Sequence, residues 1–383
     1  MLIYEKVIYN LLQRGMASVS TVDLGFFESD YEPWELESRH FPSKVGGKPA
    51  WLDMKHLPSF DTMKCPQCEE PRHFLLQVYA PDNNVSEAFH RTIFIFLCTR
   101  DQCWAGDTPP ILVLRSQLPR DNAYYPHEPP QNTAHWRSDL VLGDLCPVCA
   151  VCGARGDMRC GGCRSVSYCG PQHQRLDWRA GHKQQCKHGD KKKSSNTAWC
   201  LTQGLLDMEE EPDSDVNDKS NDKYKSIVEE ATKNGVSTGV EATNEEWDEI
   251  DKGQKEDKVM EKFKSRLRRA PDQVIRYERR GAPLLCCDTP LPPPPPCQQC
   301  GGERSLEFQV MPQLLSELKL GSDTCAREGL DWASLYVYTC DSSCHVEQGY
   351  VREHVQLLNY NLTNLPETEG GKIHQEMLDK RFS

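Results

Sequence analysis

The chain has 383 residues, of which 19 are cysteines, and its formal net charge is −12. This length fits two or three small domains. No run of about 18 apolar residues occurs, so the sequence excludes a membrane-spanning helix. No secretory signal is recognisable, because Glu5 and Lys6 interrupt the first apolar residues and no small-residue cleavage site follows. We therefore expect a reduced, zinc-binding protein located in the cytoplasm and nucleus rather than a disulfide-bonded one.

Residues 1–21 are predicted to be an N-terminal extension in which Ile3, Val7 and Leu11 recur at helical spacing. This segment is either a short docking helix or an extension with no role of its own. A first β unit is predicted over residues 22–140. It contains three runs of β-branched, aromatic and aliphatic residues that are typical of strands. These runs are Phe74–Tyr79, Thr92–Leu97 and Ile111–Leu114.

Cysteine pairs border the first two of these strands. Cys65 and Cys68 precede the first strand, and Cys98 and Cys103 follow the second, which is the arrangement of a four-cysteine zinc ribbon. The alternative is four unligated cysteines in a core. The second pair has four intervening residues rather than two, so its spacing is only moderately specific.

The same arrangement recurs in a predicted C-terminal β unit, residues 259–362. PCQQCGGERSLEFQVMPQ resembles KCPQCEEPRHFLLQVYAP, and the repeated pairs are Cys297 with Cys300 and Cys340 with Cys344. Two copies of the order cysteine pair, strand, strand, cysteine pair indicate an internal duplication. The predicted fold is α+β and mainly β, with two zinc-ribbon-like β units packed together.

A segment at 146–186 lies between these units, and eight Cys and His side chains recur there within 38 residues, from Cys149 to Cys186. Their spacing resembles the MYND zinc finger. That resemblance implies two interleaved zinc sites, one formed by Cys149, Cys152, Cys169 and His173 and the other by Cys160, Cys163, His182 and Cys186. Cys146 offers an overlapping C-x2-C pair with Cys149, and we interpret it as a spare thiol. Metal binding would stabilise this segment by roughly 10–16 kcal/mol per structural zinc.

Residues 187–258 are predicted to be a disordered acidic linker, since residues 207–251 contain 16 Asp or Glu and 4 Lys or Arg. After it, a basic helix is expected to reach about Arg269 with Met260, Phe263 and Leu267 on one face. Residues 291–296 are a polyproline spacer. The tail, residues 363–383, is expected to be mobile.

The chain resembles the programmed cell death protein 2 family over roughly residues 22–350. The segments that carry this resemblance are VDLGFFE, FPSKVGGKPAWL, CPQC…FLLQVYAP, the finger, PDQVIRYERRGAPLL, CQQCGGERSLEFQVMPQLL and LDWASLYVYTC. The resemblance implies a dedicated chaperone for one basic small-subunit ribosomal protein, acting in 40S subunit biogenesis. It also implies links to cell proliferation, programmed cell death and stem-cell maintenance, and a place in both cytoplasm and nucleus. The acidic segment could neutralise a cationic client, although most charge runs are solvating linkers.

The alternative function is a transcriptional or apoptotic scaffold. MYND fingers of other proteins bind proline-rich peptides in a groove with a tryptophan, and Gln174 and Trp178 stand at matching positions here. Trp178 packing against the zinc core is the competing interpretation.

No enzymatic activity is expected, because no cofactor or nucleophile motif is present. Direct nucleic-acid binding is disfavoured, and we expect a monomer with about four zinc ions: two in the finger and one in each β unit.

Overall fold

The computed structural model describes residues 22–105, 108–188, 199–212, 258–288, 290–318, 320, 330, 332–347 and 349–358. The strands are β1 (Asp23–Glu28), β2 (Lys44–Val45), β3 (His73–Tyr79), β4 (His90–Leu97), β5 (Ile111–Leu118), β6 (Met158–Arg159), β7 (Ser167–Tyr168), β8 (Gly204–Glu210), β9 (Gln273–Tyr277), β10 (Arg304–Val310), β11 (Ser334–Cys340) and β12 (Val351–Leu358). The α-helices are α1 (Phe60–Met63), α2 (Leu142–Leu145), α3 (Pro171–Asp177), α4 (Lys183–His188), α5 (Lys258–Arg268) and α6 (Gln313–Glu317). Short 3₁₀ turns cover Pro33–Leu36, Ser38–His40, Ser86–Ala88 and Asp101–Trp104, and a π turn covers Trp178–His182.

Ten strands form one closed barrel in the order β1-β8-β2-β3-β4-β5-β12-β11-β10-β9. Every neighbouring pair is antiparallel, and β1 closes the barrel by pairing with both β8 and β9. The remaining strands, β6 and β7, form a small sheet within the finger. The mainly β prediction is therefore confirmed. The predicted pair of separate zinc-ribbon units is not confirmed, because strands of both units share one sheet through the β5–β12 and β1–β9 pairings.

The two faces of β4 show why this sequence forms a barrel with an outer coat. Successive strand residues point to opposite faces. Ile93 and Ile95 lie in the larger hydrophobic core, whereas Phe94 and Phe96 pack in a second one beside Trp51. All eight residues of β4 are buried. A strand that is buried on both faces has a continuous run of apolar residues, and this run made β4 recognisable in the sequence.

The N-terminal and C-terminal halves of the barrel share local geometry. The β3–β4 pairing shifts register between Phe74 and Leu76, and the β10–β11 pairing shifts between Leu306 and Phe308. In the first half the side-chain amide of Gln77 donates to Ala50 O and accepts from Ala50 N. In the second half the amide of Gln309 makes the same two bonds to Leu284.

A buried ion pair joins the two halves. The guanidinium of Arg91 donates two bonds of 2.7 Å to the carboxylate of Glu307, and both side chains are fully buried. Thr339 and Tyr277 donate hydroxyl hydrogen bonds to the same carboxylate. Burial raises the pKa of Glu307, but the charge of Arg91 outweighs it and holds this pKa at about 2. The pair is therefore ionised at neutral pH.

The predicted disordered linker at 187–258 is wrong over residues 204–210, which form β8 inside the barrel. Only Leu206 and Met208 alternate with acidic residues in this strand, and so short an alternation does not distinguish a strand from an acidic linker. The strand leads to Glu211, whose carboxylate accepts hydrogen bonds from Arg266 at 2.5 Å and Arg276 at 2.9 Å. Residues 189–198 and 213–257, together with the extension at 1–21 and the tail at 363–383, lie outside the described residues.

The predicted basic helix is present as α5, and its apolar face contacts the barrel as expected. Phe263 is buried with Met311 and Ala333, and Met260 and Leu267 pack beside them. Within the described part of the chain, no helix has the length and apolarity needed to cross a membrane.

Candidate metal centres

Within the described residues, four clusters of cysteine and histidine side chains lie on turns, on strand ends and on the short helices of the finger. In each cluster the ligand atoms lie within 4.8 Å of one another. The structure brings together Cys65, Cys68, Cys98 and Cys103; Cys149, Cys152, Cys169 and His173; Cys160, Cys163, His182 and Cys186; and Cys297, Cys300, Cys340 and Cys344. The two cysteine-only sets are those predicted from the sequence, and the two sets of the finger are those that its resemblance to the MYND finger implies.

All four C-x2-C knuckles adopt one backbone conformation. The residue after the second cysteine has a left-handed φ of 58° at Glu69, 76° at Gly153, 57° at Arg164 and 72° at Gly301. Its N–H donates to the carbonyl of the first cysteine at 2.8–3.0 Å in every case. This turn aims both sulfurs at one point. Glycine adopts left-handed φ without strain, so two knuckles have the favoured residue and two do not. Sequence reasoning did not use this signal.

An arginine braces the knuckle in each half of the barrel. Arg72 donates from Nη1 to Lys64 O at 2.7 Å, immediately before Cys65. Arg304 donates from Nη1 to Pro296 O at 2.7 Å, immediately before Cys297. These two arginines occupy equivalent positions in the repeated segments, and each fixes the backbone on which the knuckle begins.

The C-terminal cluster also depends on the N-terminal half. Arg115 of β5 donates to the carbonyl of Cys344 at 3.1 Å and contacts its sulfur at 3.4 Å. Within the cluster, burial raises the pKa of the Cys340 thiol, but hydrogen bonds from the Ser342 hydroxyl and the Cys344 backbone outweigh it and lower this pKa to about 6. A thiol of this acidity readily supplies a thiolate ligand.

The finger supplies its imidazoles through different nitrogens. Nδ1 of His173 lies 3.1 Å from Cys169 Sγ and 3.4 Å from Cys149 Sγ. Nε2 of His182 lies 3.3 Å from Cys160 Sγ and 3.6 Å from Cys163 Sγ. Helix α3 carries the first histidine. A kink at the left-handed residue Gly181, with φ of 145°, redirects the chain into α4, so His182 and Cys186 reach the second cluster.

The distances within the clusters fit tetrahedral zinc. A tetrahedron with metal–sulfur bonds of about 2.3 Å has sulfur–sulfur edges of about 3.8 Å. The observed distances include 3.7 Å between Cys68 and Cys98, 3.6 Å between Cys300 and Cys340, and 3.8 Å between Cys160 and Cys186. A disulfide has a bond of about 2.05 Å, so these contacts are not disulfides. Sets of four sulfurs, or of three sulfurs and one imidazole, are the ligands of structural zinc.

Cys146 lies outside the four clusters identified in the described residues. Its sulfur is buried in the core that contains Trp51 and points to Pro147 O at 3.6 Å. Burial raises the pKa of this thiol. The side chain therefore behaves as a small apolar residue.

Gln174 and Trp178 line a surface groove of about 470 Å³ on the finger, with Arg175 and Arg179 at its border. The Trp178 side chain is 38% exposed, yet its ring also makes an edge contact with His182 at 5.9 Å. Trp178 therefore fits both interpretations in part. Its ring contacts His182 of the second cluster, and its exposed part faces the groove.

The finger is docked on the barrel by contacts that sequence reasoning missed. The Trp199 ring stacks on His73 at 3.8 Å and makes an edge contact with His173 at 4.6 Å. Lys48 donates to Ala150 O at 2.6 Å. His73 begins β3 close to the first cluster, so Trp199 bridges that region and a ligand of the finger. Trp199 belongs to none of the sequence motifs, so nothing in the sequence indicated that it packs against the finger.

Comparison with known proteins agrees with this architecture. Residues 21–132 match the programmed cell death protein 2 N-terminal domain, 257–359 its C-terminal putative domain, and 149–186 the MYND finger. No solved structure matches the chain significantly.

Three relatives illustrate the range of similarity. Programmed cell death protein 2 of Mus musculus is 39% identical over 346 residues, covering 88% of this chain and 96% of the relative. Programmed cell death protein 2-like of Mus musculus is 26% identical and covers 79% of this chain and 85% of the relative. Probable 20S rRNA accumulation protein 4 of Schizosaccharomyces pombe is 29% identical over 157 residues, covering 37% of this chain and 36% of the relative. The similarity to the first relative covers most of both chains, and the chain therefore belongs to the programmed cell death protein 2 family.

Proposed function

We propose that each of the four clusters binds one zinc ion, and that these ions fix the loops at the ends of the barrel. The donor sets and the sulfur–sulfur distances of 3.6–3.8 Å support this proposal. Elemental analysis of the purified chain should give four zinc ions. A cadmium- or cobalt-substituted protein would report tetrahedral thiolate ligation by its absorption. A stably folded chain that holds no metal would contradict the proposal.

The function that fits this molecule best is that of a chaperone for a basic small-subunit ribosomal protein, acting in both cytoplasm and nucleus during 40S biogenesis. Family membership carries this proposal, together with a relative whose name refers to 20S rRNA accumulation. A free ribosomal protein carries strong positive charge and needs a partner that neutralises it. A closed barrel provides a rigid surface on which such a client can bind.

The charge distribution supports a cationic client. Residues 213–251 contain 12 Asp or Glu and 4 Lys or Arg, a net charge of −8 that remains after β8 and Glu211 have joined the barrel. Charges of this size attract an oppositely charged protein over a Debye length of about 8 Å at physiological salt. The attraction would speed capture, and contacts with the barrel would supply specificity.

Affinity purification with mass spectrometry at two salt concentrations tests this function. One small-subunit ribosomal protein should predominate at a stoichiometric level, and its recovery should fall as salt increases. A chain in which neutral residues replace the acids of 213–251 should capture the client more slowly while keeping its zinc content. Recovery of chromatin-associated proteins without any ribosomal protein would contradict the chaperone role.

A scaffold that binds proline-rich partners is the second candidate, and the groove containing exposed Trp178 favours it. Proline-rich peptides are already extended, so an aromatic groove binds them at low entropic cost. Capture by immobilised proline-rich peptides should fall in Trp178→Ala, while Leu176→Ala, an exposed residue of the same finger, serves as the control. Equal capture by wild type and Trp178→Ala would remove this candidate.

A further inference from the structure

An aromatic pocket of about 380 Å³ lies in the N-terminal half of the barrel, in a part of the structure separate from the metal clusters. The rings that line it are Phe41, Tyr79, Phe89, His90, Tyr125, His127 and Trp136. Phe41 stacks on His90 at 4.4 Å and makes an edge contact with Tyr125 at 4.6 Å. Burial, aided by the charge of Arg120, lowers the pKa of His90 to about 4, so the imidazole is neutral at physiological pH. The pocket therefore offers a mainly apolar surface.

An acidic loop, residues 28–37, lies beside this pocket. It contains five Asp or Glu residues and no Lys or Arg. Ring contacts connect the two features: Trp34 lies 4.9 Å from His40, which lies 5.5 Å from Trp136 in the pocket wall. Of the five acidic side chains of this loop, Glu37 forms an ion pair with Arg39, at 2.7 Å. Within the pocket lining itself, the exposed carboxylate of Glu128 is offset by the exposed guanidinium of Arg120, so the negative charge of this surface comes from the loop.

We propose that the aromatic pocket and the acidic loop together bind an extended basic segment of the client, with one large apolar side chain in the pocket and flanking lysines and arginines against the loop. This inference rests on the proposed function and locates the client on the barrel. A surface that combines aromatic rings with negative charge is complementary to cationic chains that carry occasional apolar residues. One arginine already adopts such a contact within the chain, since the guanidinium of Arg120 lies 5.1 Å from the centre of the Phe89 ring.

Two exposed residues of the pocket lining allow it to be altered without disturbing the core. Asn83→Trp would fill the pocket, and Glu128→Lys would replace the carboxylate of its lining with an ammonium group. Ser265→Trp and Asp272→Lys place the same side chains at exposed positions of the C-terminal half and serve as matched controls. Zinc content and circular dichroism should be unchanged in all four variants.

The direct test uses a labelled peptide of lysines, arginines and serines with one central phenylalanine, and the same peptide with alanine in its place. Wild type and Ser265→Trp should bind the phenylalanine peptide about tenfold more tightly, because the ring is buried on binding. Asn83→Trp should bind the two peptides equally. Glu128→Lys should bind the phenylalanine peptide about threefold more weakly than Asp272→Lys at low salt, with a smaller difference at high salt. Equal binding of both peptides by wild type would overturn the proposal.

Purification of the full chain separates this inference from the proposed function. Loss of the ribosomal protein from Asn83→Trp, with retention by Ser265→Trp, supports both. Retention by every variant refutes the binding surface and leaves the chaperone role standing. If wild type itself recovers no ribosomal protein, the chaperone role fails, and the peptide measurement alone decides what the pocket binds.

Discussion

Replacing Arg91 by methionine should destabilise the barrel strongly, because it removes the main partner of a fully buried carboxylate. Glu307 would keep the hydroxyls of Thr339 and Tyr277, and Arg279 lies 3.6 Å away. Removing one partner of a buried ion pair costs roughly 3–5 kcal/mol. The remaining donors place the expected cost of Arg91→Met near the lower end, at about 3 kcal/mol.

Removing both charges should restore most of that stability. In the double variant Arg91→Met/Glu307→Leu no carboxylate is left without its partner, and Arg279 still pairs with Asp82 at 2.5 Å. Buried pairs replaced by apolar residues of similar volume are often neutral or stabilising. We expect the double variant to lie within about 1 kcal/mol of wild type, which corresponds to a favourable coupling energy.

Urea unfolding at a fixed zinc concentration, followed by circular dichroism, measures these free energies. The control is Arg155→Met, which removes an exposed ion pair of 2.8 Å with Asp157 and should cost about 1 kcal/mol or less. The single variant Glu307→Leu completes the comparison. If Arg91→Met and Glu307→Leu each cost less than about 1 kcal/mol and their effects add in the double variant, the pair is not a coupled link between the halves.

Three further predictions concern acid stability, the knuckles and the docked finger. Because the folded pKa of Glu307 is about 2 against an ordinary 4.5, its contribution to stability is complete above pH 4.5 and is lost as the pH falls toward 2. Acid titration should therefore show a smaller loss of stability in the double variant than in wild type, and identical profiles would contradict this. Glu69→Gly should stabilise the zinc-loaded protein by about 0.5–1 kcal/mol and Gly301→Ala should destabilise it by about 1 kcal/mol, because φ is left-handed at both positions, and thermal unfolding measures both. Trp199→Ala should speed hydrogen exchange across residues 149–186 without lowering zinc content; unchanged exchange would show that its contacts with His73 and His173 do not hold the finger on the barrel.

The cysteine clusters and the buried strands could be predicted from the sequence because each leaves a local pattern. Cysteine pairs at fixed spacing have few alternative uses in a reduced chain, so Cys149 and Cys297 indicated clusters directly. The strand around Phe94 was recognisable because a run buried on both faces is continuously apolar.

The closed barrel could not be predicted, because its closure depends on partners far apart in the chain. β8 is paired on both sides, yet its residues continue an acidic segment, and local composition favoured disorder there. Trp199 contacts His173 and Arg115 contacts Cys344, and each contacted residue belongs to a cluster that lies elsewhere in the sequence. Long-range pairing of this kind leaves no periodic signal in a single sequence.

The position of β1 in the barrel has a consequence for synthesis on the ribosome. Asp23 pairs with Glu210 and with Tyr277, so both neighbours of the first strand are translated long after it. At about 5–20 residues per second, β1 waits for roughly 10–40 seconds before either neighbour emerges. Throughout that interval the nascent chain presents an unpaired strand edge, so the protein that is proposed to protect a newly made ribosomal protein is itself vulnerable to aggregation while it is being made.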